Sequence, residues 1–121
     1  MSLLVKTRAV GALGEGIAEK LLKQRGWKIL EKNWHAHWGE IDLIAQEKEE
    51  IVFVEVKTRK GVAFGAPFEA ATRWKKRKIL KTAQFYLLKK GWESRQYRFD
   101  VASIVLEGDQ AKVEWFKNVE M

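Results

Sequence analysis

The stretch GEIDLIAQEKEEIVFVEVKTR, residues 39–59, holds two apolar, strand-like runs that each carry acidic residues where a core strand should carry none. Residues 39–46 and 51–57 have the short, β-branched, apolar character of buried strands, and Glu47-Lys48-Glu49-Glu50 between them reads as a four-residue turn. The two runs are therefore expected to form a hairpin. Side chains alternate along a strand, which places Glu40, Asp42 and Ile44 on one face of the first run and Ile51, Phe53, Glu55 and Lys57 on one face of the second. Register decides whether these charges meet. With Gln46 paired to Ile51, Asp42 lies opposite Glu55 and Glu40 opposite Lys57, at Cβ separations of about 4.5–5.5 Å. A slip of one residue would send Asp42 and Glu55 to opposite faces, so the unslipped register is the expectation.

Upstream of the hairpin, residues 5–24 read as a helix, with Val10, Leu13, Ile17, Ala18 and Leu21 at helical spacing and Gly26 placed to end it. Gly11, Gly14 and Gly16 each lower helix propensity by about 1 kcal/mol relative to Ala, which suits close approach to another backbone. Glu15 stands at the edge of the apolar stripe. Residues 27–31 read as a first strand and 33–38 as a connection or irregular strand. Downstream, residues 60–66 and Pro67 contain two glycines and a proline, and read as a loop, fit to act as a flap, at the edge of the charged cluster.

Residues 72–90 return to helical spacing, with Ile79, Leu80, Ala83, Tyr86 and Leu87 toward the core, Arg73, Arg77, Lys78 and Lys81 on another face, and Gly91 at the end. Residues 97–106 and 111–117 make a second hairpin around residues 107–110. Helix, three strands, helix and two strands predict an α/β domain, a mixed central β-sheet flanked by α-helices in two or three layers, with residues 1–121 as one domain.

Composition narrows the function. The chain has 121 residues, 46% hydrophobic and 32% charged, with no apolar run near the roughly 20 residues that a membrane helix needs. Residues 1–8 lack the apolar core of a secretory signal, so a cytoplasmic protein is expected. Zero cysteines exclude disulfides and thiolate metal sites. A formal net charge of +7 points to an anionic partner. The basic run Arg73-Trp74-Lys75-Lys76-Arg77-Lys78 follows the flap, which favours DNA contact over a merely solvated helix end. The six tryptophans are expected mostly in the core or at a dimer interface, with Trp74 placed to stack on an unpaired base.

Two carboxylates and a lysine on one face of buried strands are costly unless something neutralises them. A structural ion pair across the hairpin and a divalent-cation site are the two readings that the spacing leaves open. Mg²⁺ (or Mn²⁺) takes one or two carboxylates and fills its other positions with water and phosphate oxygens. Asp42 and Glu55 suit that role, with the Val56 carbonyl as a further oxygen. Such an ion polarises a phosphoryl oxygen and acidifies a water, and Lys57 could orient that water or stabilise developing negative charge. Glu40 reads first as a neighbour of Lys57. His35 and His37, without a third ligand in a motif, make a weak transition-metal site and read rather as surface or phosphate contacts.

Asp42 followed by Glu55-Val56-Lys57 at the end of an apolar strand resembles the PD-(D/E)XK motif of the restriction-endonuclease-like superfamily, which includes archaeal Holliday-junction resolvases. The closer resemblance is to the small bacterial YraN-like family of predicted endonucleases. It is carried by Gly14-Glu15 with Ala18, Asn33, GEIDLIA at 39–45, FVEVKTR at 53–59, Phe64-Gly65-Ala66-Pro67, Tyr86-Leu87 and Arg98-Phe99-Asp100-Val101. The segment Trp34-His35-Ala36-His37-Trp38 departs from relatives that often carry arginine there. The resemblance implies a restriction-endonuclease-like fold and a metal-dependent endonuclease acting on DNA, branched or damaged DNA in recombination or repair. It implies Asp42, Glu55 and Lys57 as catalytic core, Glu15 in place of a first-helix glutamate, and a homodimer. Arg59, Arg73, Lys75, Arg77, Lys78 and Lys81 are the expected DNA contacts. The alternative is a nucleic-acid-binding module of the same fold that does not cleave. Asp100 reads as a structural partner for Arg98 or for a basic helix residue.

Overall fold

The computed structural model describes residues 2–6, 14–60 and 73–121. The loop expected over residues 60–67 lies largely outside these, as do Gly11 and the Val10 and Leu13 positions of the first helix. The elements are β1 (Ser2–Lys6), α1 (Gly14–Gln24), β2 (Lys28–Ala36), β3 (Gly39–Glu47), β4 (Glu50–Lys60), α2 (Arg73–Lys90), β5 (Tyr97–Glu107) and β6 (Gln110–Phe116). They form a six-stranded sheet in the order β1-β6-β5-β4-β3-β2. Only β4 and β5 run parallel; the other neighbours are antiparallel. The α/β class and the mixed sheet flanked by helices hold, and the arrangement is consistent with a restriction-endonuclease-like fold. Among the described residues no helix is long and apolar enough to cross a membrane.

Alternation along the central strands builds two cores, one on each sheet face. Leu43, Ala45, Val52 and Val54 pack against Ile17, Ala18, Leu21 and Leu22 of α1. Ile44, Ile51 and Phe53 pack against Ala83, Tyr86 and Leu87 of α2. Both helices stop at a glycine in the left-handed region. Gly26 (φ 81°) and Gly91 (φ 72°) allow Trp27 N–H to reach Leu22 O at 3.0 Å and Trp92 N–H to reach Leu87 O at 2.8 Å. Those bonds, with Gly26 N–H to Lys23 O and Gly91 N–H to Leu88 O, satisfy the last free carbonyls of each helix.

Three expectations need correction. The first helix begins at Gly14 in the described residues, and Val5 and Lys6 belong to β1, which adds to the edge of β6 from Ser2↔Glu114 to Lys6↔Gln110. A short aliphatic run such as Leu3-Leu4-Val5 carries no period that separates helix from strand, and the open β6 edge decides it. Second, the central turn has two residues, because Glu47 pairs with Glu50, and Lys48 takes φ 54° to make it. Third, β2 is one strand over residues that read as a strand and a separate irregular piece. It carries a register shift between Ile29 and Glu31 and a left-handed Asn33 (φ 48°).

Candidate functional site

The site forms where β3 and β4 part. The ladder runs from Glu47↔Glu50 through Gln46↔Ile51 to Leu43↔Val54, the unslipped frame, and ends there. β4 continues against β5 as far as Lys60↔Leu106, so beyond Val54 it has no ladder partner in β3 among the described residues. A backbone N–H on an open, half-buried edge needs an acceptor. Asp42 supplies it: the Val56 N–H donates to Asp42 Oδ2 at 2.7 Å. The side chain thus replaces the next rung of the ladder and is pinned beside Glu55. Ile41 joins the α2-side core together with Ile44 instead of facing away from it, so the strict alternation expected for Glu40, Asp42 and Ile44 breaks at Asp42.

Glu55 continues the face of Ile51 and Phe53 and is half-buried, and its Oε1 is buried with no hydrogen-bond partner among the described residues. Burial, followed by the charge of Asp42, pushes its carboxyl up to about 8, against the pull of Lys57 and of a hydrogen bond from the Asp42 backbone. Asp42 is also raised, chiefly by burial. The Val56 hydrogen bond opposes that rise, and the charges of Glu15 and Glu40 add to it. Glu15, Glu40 and Lys57 therefore all act electrostatically on Asp42, and Glu40, Asp42 and Lys57 on Glu55.

Asn33 organises the acidic rim. It falls between the pairs Lys32↔Leu43 and Trp34↔Ile41, in register with Asp42. In the amide orientation that satisfies its neighbours, its nitrogen lies 2.6 Å from Glu15 Oε1 and 3.2 Å from Glu40 Oε1. Asparagine tolerates the left-handed backbone that this placement requires. Gly14 lets α1 deliver Glu15, because a Cβ there would collide with Thr58 Oγ1 on β4. The expected Glu40–Lys57 pair is not formed among the described residues; Glu40 is exposed, with its Oε2 3.7 Å from His35 Nδ1. Sequence reasoning noted Asn33 but gave it no role. An asparagine falling opposite a carboxylate on the neighbouring strand was the available signal.

Among the described residues no group of three or more His, Asp or Glu side chains is placed to hold a metal ion. That disfavours a site enclosed by protein ligands. Mg²⁺ does not require one, since it keeps several waters and accepts substrate phosphate. The orphaned Glu55 Oε1 beside Asp42 is an oxygen donor pair of that kind.

The expected DNA contacts divide between two elements. Arg59 is half-buried near the end of β4; α2 begins at Arg73 and carries Lys75, Arg77 and Lys81 exposed and Lys78 half-buried. The first half of α2 meets the start of β3. A Cβ on Gly39 would stand 2.5 Å from Thr82 Oγ1 and 3.8 Å from the Lys78 carbonyl, so these basic residues border the strand that carries Glu40 and Asp42.

A second charged cluster has a structural role. Arg98, only 4% exposed, donates to Asp100 through Nε (3.0 Å) and Nη2 (3.2 Å), and to Glu47 (2.9 Å) and Glu50 (2.7 Å) through Nη1. Asp100, fully buried, also accepts from Trp115 Nε1 at 2.9 Å and from the Asn118 N–H at 2.9 Å. Arg98 is therefore the partner of Asp100, and the pair ties the turn end of the β3–β4 hairpin to β5 and β6.

The family described as "Uncharacterised protein family UPF0102" matches residues 14–104. A UPF0102 protein of Caldanaerobacter subterraneus subsp. tengcongensis is 46% identical over 110 residues, covering 91% of this chain and 90% of the relative. One from Syntrophotalea carbinolica is 44% identical over 108 residues, 89% of this chain and 88% of its own length. One from Clostridium botulinum (strain Loch Maree / Type A3) is 49% identical over 98 residues, 80% of each.

Proposed function

The chain belongs to the UPF0102 family, and we propose that it is a metal-dependent endonuclease of the PD-(D/E)XK type that hydrolyses DNA phosphodiesters. The observation that carries this reading is the pair at the end of the β3–β4 ladder: Asp42 fixed by the Val56 N–H, and beside it a buried Glu55 oxygen with no partner among the described residues. A structural ion pair would leave no such orphan, because a buried polar atom without a partner costs about 1–3 kcal/mol. Such atoms call for an explanation in strain, ordered water or a bound ion, and the neighbouring Asp42 carboxylate favours an ion here.

Asp42 and Glu55 hold the Mg²⁺ (or Mn²⁺), with the Val56 carbonyl as a further oxygen. When bound, the ion supplies polarisation of the scissile phosphate and a more acidic water. Lys57, on the same face of β4 as Glu55, offsets negative charge as it develops on the phosphate. Glu15 acts through Asn33, which spans it and Glu40 and keeps the acidic rim in place. Arg59 and the α2 residues Arg73, Lys75, Arg77, Lys78 and Lys81 contact the DNA backbone, where positive charge gives affinity without sequence preference. The resemblance to resolvases favours branched or damaged DNA and a homodimer that presents two sites. The absence of cysteine and the net charge of +7 support a cytoplasmic setting beside nucleic acid.

The test incubates purified protein with labelled four-way junction, flap, single-stranded and linear duplex DNA, in Mg²⁺, Mn²⁺ or EDTA, alongside Glu55→Ala and Lys57→Ala. Metal-dependent cutting, lost in both variants while binding persists, is the expected result. Binding without cutting on every substrate would move the protein to the non-cleaving, nucleic-acid-binding alternative.

A further inference from the structure

One stripe of α2 alternates aromatic rings with ammonium groups. Trp74, Lys78, Lys81, Phe85 and Lys89 recur at intervals of four, three, four and four residues, which sets them along one side of the helix over about 22 Å at 1.5 Å per residue. The rings and charges are paired. Lys78 Nζ lies 4.0 Å from the Trp74 ring centroid, and Lys89 Nζ lies 5.5 Å from that of Phe85. Lys81 Nζ stands 4.6 Å over Trp38, whose ring packs on Phe85 at 5.1 Å. Trp38 comes from the β2–β3 turn, next to Gly39, so the stripe meets the sheet at the strand that leads to Glu40 and Asp42.

Packing accounts for Trp38 and Phe85, which lie half-buried against each other and near Trp34, but it accounts neither for Trp74 nor for the density of positive charge. Of the six tryptophans, five are buried or half-buried, whereas Trp74 is 59% exposed. The α2 sequence holds eight basic residues and no acidic one, six of them within its first nine positions. Positive charge there opposes the helix dipole, and neighbours of like sign four apart repel one another. Local stability therefore selects against this sequence, and an anionic ligand reverses the balance. A smooth polyanion would need only the charges. Interleaved rings add a surface that fits exposed bases, because every base has a π-face and stacking tolerates any sequence. In a duplex those faces are already covered.

We propose that this stripe is a track for unpaired DNA nucleotides, with a base stacked on Trp74, a second contact at Trp38 and Phe85, and Lys78 and Lys81 on the intervening phosphates. It deepens the endonuclease reading and rests on it for the identity of the nucleic acid as DNA. The track leads a single strand along α2 toward the Asp42–Glu55 pair, so the substrate class is DNA with a single-stranded segment beside the scissile bond.

Binding in EDTA separates this inference from the cleavage reading. Fluorescence anisotropy would compare labelled oligothymidylate, a blunt duplex of the same length and oligouridylate on wild type, Trp74→Ala, Trp74→Phe and Lys81→Gln, each checked for an unchanged thermal melt. Stacking is worth roughly 1–3 kcal/mol per base by alanine substitution, or about five- to 150-fold in affinity. Trp74→Ala should lose that much for oligothymidylate and less than about two-fold for duplex, Trp74→Phe should retain most of it, and Lys81→Gln should weaken both. Equal losses on single strand and duplex, an unchanged affinity in Trp74→Ala, or tighter binding of oligouridylate would overturn the track. Cutting in Mg²⁺ is scored on its own: a protein that binds single strands through Trp74 yet never cuts keeps the track and loses the endonuclease reading.

Discussion

Replacing Glu55 by glutamine should stabilise the metal-free protein, and only at high pH. The side chain stays the same shape but cannot ionise. In wild type the Glu55 carboxyl titrates near its ordinary value of 4.5 when unfolded and at about 8 when folded. Between those values the folded state keeps a proton that the unfolded state releases. Stability from this group is therefore greatest below about 4.5 and is lost progressively as pH rises through the window to about 8. At 1.36 kcal/mol per pKa unit, the whole window corresponds to a loss on the order of 5 kcal/mol. Asp42 is raised as well and contributes in the same sense. Urea unfolding with EDTA at pH 5 and pH 8.5 reads the effect. The two proteins should be similar at about pH 5, and Glu55→Gln should be the more stable by several kcal/mol at about pH 8.5. Saturating Mg²⁺ should then recover stability in wild type alone, by about 2.7 kcal/mol at a hundredfold excess over Kd. Parallel pH profiles, or a wild type that gains on the mutant as pH rises, would refute the reasoning.

Three further outcomes follow from particular contacts. Asp100→Ala leaves Arg98, Trp115 Nε1 and the Asn118 N–H without their shared acceptor and should lower stability by roughly 3–5 kcal/mol in urea unfolding. Gly39→Ala places a methyl against Thr82 Oγ1 and should cost about 1–3 kcal/mol, a loss that shrinks in a Thr82→Ala background if the clash is its cause. Asn33→Gly keeps the left-handed backbone and removes the amide between Glu15 and Glu40; it should melt within about 1 kcal/mol of wild type yet lower cleavage, whereas a large loss of stability would make Asn33 a fold residue only.

The Glu55 prediction was half legible in the sequence. Alternation and turn chemistry place Asp42 and Glu55 in one frame, and the observed Gln46↔Ile51 pairing keeps that frame. What alternation does not contain is the end of the ladder. The parting of β3 from β4 depends on Asp42 taking the Val56 N–H with its side chain, and on β2 bending at Asn33 to bring Glu15 and Glu40 together. Those are choices among acceptors made in three dimensions, and a local pattern does not rank them. The second helix was legible for the opposite reason, since its apolar period, its basic face and its terminal glycine agree from Arg73 to Gly91. β1 was missed because five residues have too little period to read, and its partner β6 lies more than a hundred residues away. Arg98 and Asp100 were visible as charges in an apolar strand. Their meaning came only with Glu47 and Glu50, delivered by the turn of another hairpin.

Calorimetric titration of Mn²⁺ into wild type and Asp42→Ala, each with and without four-way junction DNA, tests the central claim most directly. One binding event in wild type, tighter as pH rises because the Glu55 proton must leave, and abolished in Asp42→Ala, is the predicted result. The same binding in both proteins, or none in either with DNA present, would contradict a metal site at Asp42 and Glu55.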